Sequence, residues 1–210
     1  MKAIESLIQE HQLIARLADA LEAYARETTR ACPPDAGHLA LFAALFCDFA
    51  ECIHHEKEEH ILLPLLTRRG VRWDEGVLPS VRREHRQETY LIDVLRQAGE
   101  RAAFWHIEDR RHVAAAAQAL VDFQRQHHAL ETQKLFPLIE LRLGGAELEQ
   151  LQQALDKFDR EHHQQRVAAI ERIEALVALY APARPSGVHR VGPAPGEGAQ
   201  ANERRLELNK

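Results

Sequence analysis

The sequence predicts an all-α protein, and three observations carry that prediction. Apolar residues recur at three- and four-residue steps along most of the chain, no stretch alternates as a strand would, and a block rich in histidine and glutamate occurs twice with the same helical spacing. At 210 residues, 45% hydrophobic and 28% charged, the chain has material for one core. A first helix is expected from about Lys2 to Thr29, carrying Ile4, Leu7, Ile8, Ile14, Leu17 and Leu21, and the breaker Cys32-Pro33-Pro34-Asp35-Ala36-Gly37 stops it. A second, from about His38 to Arg68, places Leu39, Phe42, Phe46, Phe49, Ile53 and Leu65 on one side and ends near Gly70. RRGVRWDEGVLP reads as loop. A third helix begins around Pro79, a good first-turn residue, and carries Leu78, Val81, Ile92 and Leu95 up to Gly99. Residues 100 to 107 give no clear signal. A fourth helix, Glu108 to Arg142, shows Val113, Ala117, Leu120, Phe123 and Leu138, and Gly144-Gly145 closes it. An additional C-terminal helix, Ala146 to Tyr180, repeats the pattern with Leu148, Leu151, Leu155, Phe158, Ile170 and Ile173. Residues 181–210 lose the apolar period to proline and glycine and read as a flexible tail.

Composition narrows the function. The net charge is -5 and the basic residues are dispersed among acids, so no nucleic-acid surface is expected. The N-terminus lacks a signal-like apolar segment and no uninterrupted apolar run reaches membrane-span length, so no membrane partner and a cytoplasmic location are expected. Cys32, Cys47 and Cys52 make neither an even set nor a CxxC pair, which suits a reducing compartment and small buried apolar roles.

The chain also holds 13 histidines, and the repeat shows which of them belong together. HHEKEEHILLPLL at 54–66 aligns with HHALETQKLFPLI at 127–139, keeping both histidines, Glu58 with Glu131, Pro64 with Pro137 and the flanking leucines. QEHQLI at 9–14 aligns with REHRQE at 83–88, so a unit of EH followed by HHxxExxxLxPL occurs twice, as two similar helical hairpins would require. His11, His54, His85 and His127 fall on the apolar stripes of their helices and so face the interior. Glu58 and Glu131 stand four residues after His54 and His127, on the same helix face one turn on. His55 and Glu59 share that spacing, but Thr132 stands where a second copy of Glu59 would be, so the earlier pair is chosen. His55, His60, Glu59 and His128 are expected as neighbours or surface groups.

Four imidazoles and two carboxylates in an apolar interior are costly unless compensated, and metal cations compensate them. The competing reading is a metal-free bundle with a hydrogen-bonded polar core. Two histidines and one glutamate per hairpin is a set suited to non-haem iron, and two such sets suggest two metals bridged by Glu58 and Glu131. A zinc-protease HExxH fails because position 59 is Glu, and the Glu-x-x-His of ferritin-like centres, present at Glu51 and His54, is not repeated because position 124 is Gln.

These motifs, EH at 10–11, HHxxEExxLLP at 54–64, EH at 84–85 and HHxxExxxLFP at 127–137, resemble those of hemerythrin-like proteins with the HHE cation-binding domain. The resemblance covers residues 1–142. It implies an up-down four-helix bundle with a non-haem di-iron centre, bridged by oxygen and carboxylates, and metal ligands His11, His54, Glu58, His85, His127 and Glu131. Oxygen-carrying members look to a second histidine on the third helix, four residues from the first; here those positions are Val81 and Thr89. The set therefore looks more like relatives that meet nitric oxide, peroxide or iron stress. His55 and Glu161-His162 on the C-terminal helix remain open as sources of a fifth imidazole. The implied function is binding or reduction of a small oxidant, dioxygen, peroxide or nitric oxide, with electrons from an external donor, since no Gly-rich cofactor loop is present. The alternative is an iron-responsive sensor or binding module without turnover.

Overall fold

Two proline-bearing segments of identical design set the shape of the long helices. In a computed structural model, which describes residues 2–101 and 105–180, the described residues form six helices and no strand. These are α1 (Lys2–Thr28), α2 (Gly37–Arg68), α3 (Leu78–Glu100), α4 (residues 107–142), α5 (Gly145–Glu161) and α6 (His163–Tyr180). The tail expected over 181–210 lies outside the described residues.

Pro64 and Pro137 sit inside α2 and α4, where each lacks the N–H that an α-helix needs and its ring crowds the carbonyl four residues back. The turn before each proline is widened into π-helix, Glu58–Leu62 and Glu131–Leu135, which relieves that conflict without ending the helix. A further π segment spans Phe46–His55. The widened turns carry Glu58 and Glu131 themselves, so the LxP motif adjusts the helix where the carboxylates are placed.

The ends follow local chemistry. α2 closes with Gly70 at φ +80°, its N–H donating to the Thr67 carbonyl at 3.0 Å while Val71 N–H reaches Leu66 at 3.1 Å. That is a left-handed glycine cap, and it buries Val71 against Leu66. α4 opens with the His106 N–H donating to the Asp109 carboxylate at 2.8 Å.

α1 packs on α4, α4 on α3, α3 on α2, and the π segment of α2 returns to α1, while α5 and α6 cover α1 and α2. The apolar interior forms two clusters. One gathers Leu17, Tyr24, Phe42, Phe49, Leu120 and Ile173 among others; the second gathers Leu7, Leu62, Leu66, Val81, Ile139 and Leu155. α2 is apolar and long enough to cross a membrane by composition alone, but half of that stretch is buried within the protein and it carries buried His54, His55, Lys57 and Glu58.

Three expectations are corrected. The helix expected from Ala146 to Tyr180 is broken at His162, whose ring nitrogen Nδ1 donates to the Phe158 carbonyl at 2.9 Å as its backbone leaves helical geometry (φ -105°, ψ 16°). The break lets α5 cover the second cluster, through Leu151 and Leu155, and α6 the first, through Ala169, Ile173 and Leu176. Ile8 lies at the rim of its helix stripe, 36% exposed, because it is turned by about 100° from Leu7. Of the cysteines, Cys32 is exposed and Cys47 and Cys52 are half-buried, all as free thiols.

Gly99 marks the closest approach of α3 to α2: a Cβ there would stand 2.8 Å from the backbone nitrogen of Ala40 and 2.9 Å from its Cα. Gly to Ala inside a helix ordinarily gains about 1 kcal/mol. Here the overlap is with backbone, so Gly99→Ala is expected to cost about 1–3 kcal/mol instead, read as a lower urea midpoint at unchanged slope.

Candidate metal centre

Between the two apolar clusters lies a layer of buried polar side chains, and each helix of the ring contributes to it. On α1, Glu10 and His11 are flanked by buried Leu7 and Ile14; α2 gives His54, His55, Lys57 and Glu58, α3 gives His85 and Glu88, and α4 gives Gln124, His127 and Glu131. Glu58, Glu131, His54 and His127 are completely buried.

The structure brings all six sequence-predicted residues together. Donor atoms of His11, His54, Glu58 and Glu131 lie within 4.8 Å of one another, and so do those of Glu58, His85, His127 and Glu131. The two carboxylates belong to both groups. His11 Nε2 is 2.9 Å from His54 Nε2 and 3.0 Å from Glu131 Oε2; His54 Nε2 is 3.7 Å from Glu58 Oε1. On the other side His85 Nε2 stands 3.3 Å from Glu58 Oε2 and 3.7 Å from Glu131 Oε1, and His127 Nε2 is 3.3 Å from the same Glu131 oxygen.

The outer nitrogens are held by a second set of carboxylates. His54 Nδ1 meets Glu10 at 3.1 Å, His127 Nδ1 meets Glu84 at 3.0 Å, and His85 Nδ1 meets Glu59 at 2.9 Å. A ring that donates its Nδ1–H outward presents the Nε2 lone pair inward, which is how proteins orient imidazoles toward a metal. The glutamate of each EH motif thus serves the first histidine of the HH motif in its own hairpin.

Charge is poorly compensated without a cation. Both oxygens of Glu58 and of Glu131, together with Nε2 of His85 and of His127, are buried and make no hydrogen bond among the described residues. Burial works against charge on His54, yet the Glu58, Glu10 and Glu131 carboxylates raise its pKa. Burial likewise opposes His85, which the nearby Glu131, Glu58 and Glu59 carboxylates raise to about 12, and His127, which Glu131 and Glu84 raise to about 9. Glu131 is pushed the other way, well below the usual carboxylate range, because His127, His11 and His85 outweigh its desolvation. Inward-facing imidazoles and unpartnered carboxylates fit a bound cation, which would take the lone pairs that no hydrogen bond takes.

Other predicted neighbours separate. His60 is exposed and pairs with Glu56 on the same helix. His162 caps the Phe158 carbonyl and stacks on the Phe158 ring, and it joins none of the donor groups among the described residues. His55 and His128 are stacked against His85 and His11 respectively. Neither Val81 nor Thr89 gives a donor: Val81 is core, and the Thr89 hydroxyl donates to the His85 carbonyl.

Sequence reasoning missed Glu88 and Gln124, whose side chains form a buried hydrogen bond of 2.5 Å. Both lie on the stripes that carry His85 and His127, and a polar side chain at such a position is the signal that was available. It also missed Lys57. Its ammonium, wholly buried, donates to Glu10 at 2.5 Å and pairs with Asp159 of α5 at 2.5 Å, with Arg166 of α6 3.6 Å from Asp159. Through Glu10 this network ends on His54.

The helical architecture and this donor layer define a cation-binding helical protein. Residues 2–103 match the family model of the hemerythrin HHE cation-binding domain. The match contains His11, His54, Glu58 and His85, whereas His127 and Glu131 lie beyond it and enter through the internal repeat. No curated protein and no solved structure matches the chain.

Two outcomes follow from the electrostatics. In metal-free protein the raised pKa of His127 contributes stability below the ordinary histidine value of 6.5, which is lost as pH rises through about 9. Glu10, lowered from 4.5 to about 2 where His54 and Lys57 outweigh its burial, contributes stability that is lost as pH falls toward that value. The melting temperature of metal-free protein should therefore fall toward both limits, and cation loading near neutral pH should release protons to an indicator dye. Separately, Lys57→Met would strand Glu10 beside a half-exposed Asp159. With Arg166 close by, a loss of about 3 kcal/mol is expected in urea denaturation.

Proposed function

We propose that the chain holds a pair of iron ions in this layer and uses them to bind or reduce a small oxidant, dioxygen, peroxide or nitric oxide. The single observation that carries the reading is that Glu58 and Glu131 each belong to both donor groups, as carboxylates that bridge two ions must. Imidazole and carboxylate donors together suit non-haem iron, and an oxo or hydroxo bridge between the ions is part of the proposal. His11 and His54 would hold one ion and His85 and His127 the other.

When bound, such a pair supplies or accepts electrons at a position open to an exogenous ligand. The chain's own residues prepare the site. Glu10, Glu84 and Glu59 keep the Nδ1 protons of His54, His127 and His85 pointed away from the centre. The apolar clusters above and below exclude bulk water. Electrons would come from an external donor.

The packing of α1 on α4, α4 on α3 and α3 on α2 supports an up-down four-helix bundle through residue 142, with α5 and α6 as an added hairpin. A second reading, an iron-responsive module without turnover, is favoured by the Lys57–Asp159 pair, which ties that hairpin through Glu10 to His54.

Protein produced with iron is expected to hold about two ions per chain and to show near-ultraviolet charge-transfer bands in air. Glu131→Ala, which touches both donor groups, should lose most of the iron, whereas His11→Ala should weaken mainly one. Mixing reduced protein with peroxide or nitric oxide should restore the oxidised spectrum. Absence of iron sinks the proposal; iron without any response to oxidants leaves the sensor reading in its place.

A further inference from the structure

Resting on the iron reading above, the geometry points to His55 as a fifth imidazole of the centre, ligating the ion held by His85 and His127 and leaving the His11–His54 ion to receive the exogenous ligand. The position belongs to neither of the third-helix sites, Val81 and Thr89, where the hemerythrin pattern places such a residue.

His55 is buried, its donor atom lies within 4.8 Å of those of His85 and His127, and its ring is stacked on His85 with centroids 3.9 Å apart and perpendicular to His127. Its Nε2 has no hydrogen-bond partner among the described residues; the nearest carboxylate oxygen, Oε2 of Glu88, is 3.5 Å away and equally unpartnered. Glu88 instead takes the amide of Gln124 on its other oxygen. What singles out His55 is the company of its donor atom, which lies within 4.8 Å of those of two inward-facing imidazoles, where a metal ion could take its lone pair.

The internal repeat supplies a control. His128 occupies the position of His55 in the second hairpin, stacks in the same way, 4.1 Å from His11, and has an equally unpartnered Nε2, yet among the described residues it joins no donor group. The surroundings differ for reasons visible in the sequence. Glu59 holds the His85 ring from outside, whereas its repeat counterpart is Thr132, and the place of Glu88 is taken by Ile14. The two halves therefore hold their ions unequally, with three imidazoles against two.

The test is iron content and zero-field Mössbauer spectroscopy on full-length protein loaded with 57Fe, comparing wild type, His55→Ala, His55→Gln and His128→Ala, with circular dichroism to confirm folding. Wild type and H128A are expected to hold about two iron ions in two unlike environments. The His55 variants should fall toward about one ion, or keep two with one quadrupole doublet displaced and the other unchanged. His55→Gln retains a polar side chain and carries the measurement should H55A fail to fold. Folded His55 variants with two ions and both doublets unchanged would overturn the assignment of His55 alone. Wild type without iron would overturn the iron reading and this assignment with it.

Discussion

Two carboxylates, Glu58 and Glu131, are completely buried and receive no hydrogen bond at any of their oxygens among the described residues, and the rest of the layer is organised around that fact. An ionised carboxylate taken out of water loses several kcal/mol of solvation unless opposite charge meets it. Protonated histidines provide part of that charge in the metal-free chain, which is why His85 and His127 are driven upward and Glu131 downward. Protons are an imperfect remedy, because imidazoliums crowded around shared oxygens repel one another. A multivalent cation does the same work with fewer particles, and it lets every imidazole be neutral.

The constraint shapes the fold at two scales. Locally, the proline after each glutamate widens its helix by a π turn, a distortion helices rarely tolerate without return. Globally, the polar layer divides the apolar interior into two clusters, and the broken α5–α6 segment spans the division by packing one half on each. Lys57 fastens that segment at the level of the layer. Its burial would be prohibitive alone; between Glu10 and Asp159 it becomes a strut joining the added hairpin to the carboxylate that orients His54.

How much of this was legible in the sequence depended on repetition. His11, His54, Glu58, His85, His127 and Glu131 could be picked out because each hairpin states the pattern once and the other repeats it at the same spacing. Glu10 and Glu84 were visible as the first letters of EH, although their task, holding an imidazole on another helix, is a tertiary fact. Glu88, Gln124, Lys57 and Asp159 were not legible. They have no repeat counterpart of the same chemistry, and all four meet partners more than thirty residues away. The break at His162 was missed for a related reason: the apolar period continues through it, and only the need to cover two separate clusters makes the helix turn there.

Duplication followed by divergence also explains why the centre is not symmetric. Two identical hairpins would surround two ions with identical donors, and neither ion would be distinguished. Here Glu59 against Thr132, and Glu88 against Ile14, give the His85–His127 side carboxylates that the His11–His54 side, held by Glu10, lacks. His55 and His128 begin from equivalent positions and equivalent stacking, and only the first finds its nitrogen among other donors. Small substitutions around a fixed pair of shared carboxylates are therefore enough to give the two donor groups unlike neighbours. That inequality is what a centre needs if a small molecule is to approach one ion while the other stays fixed in the bundle.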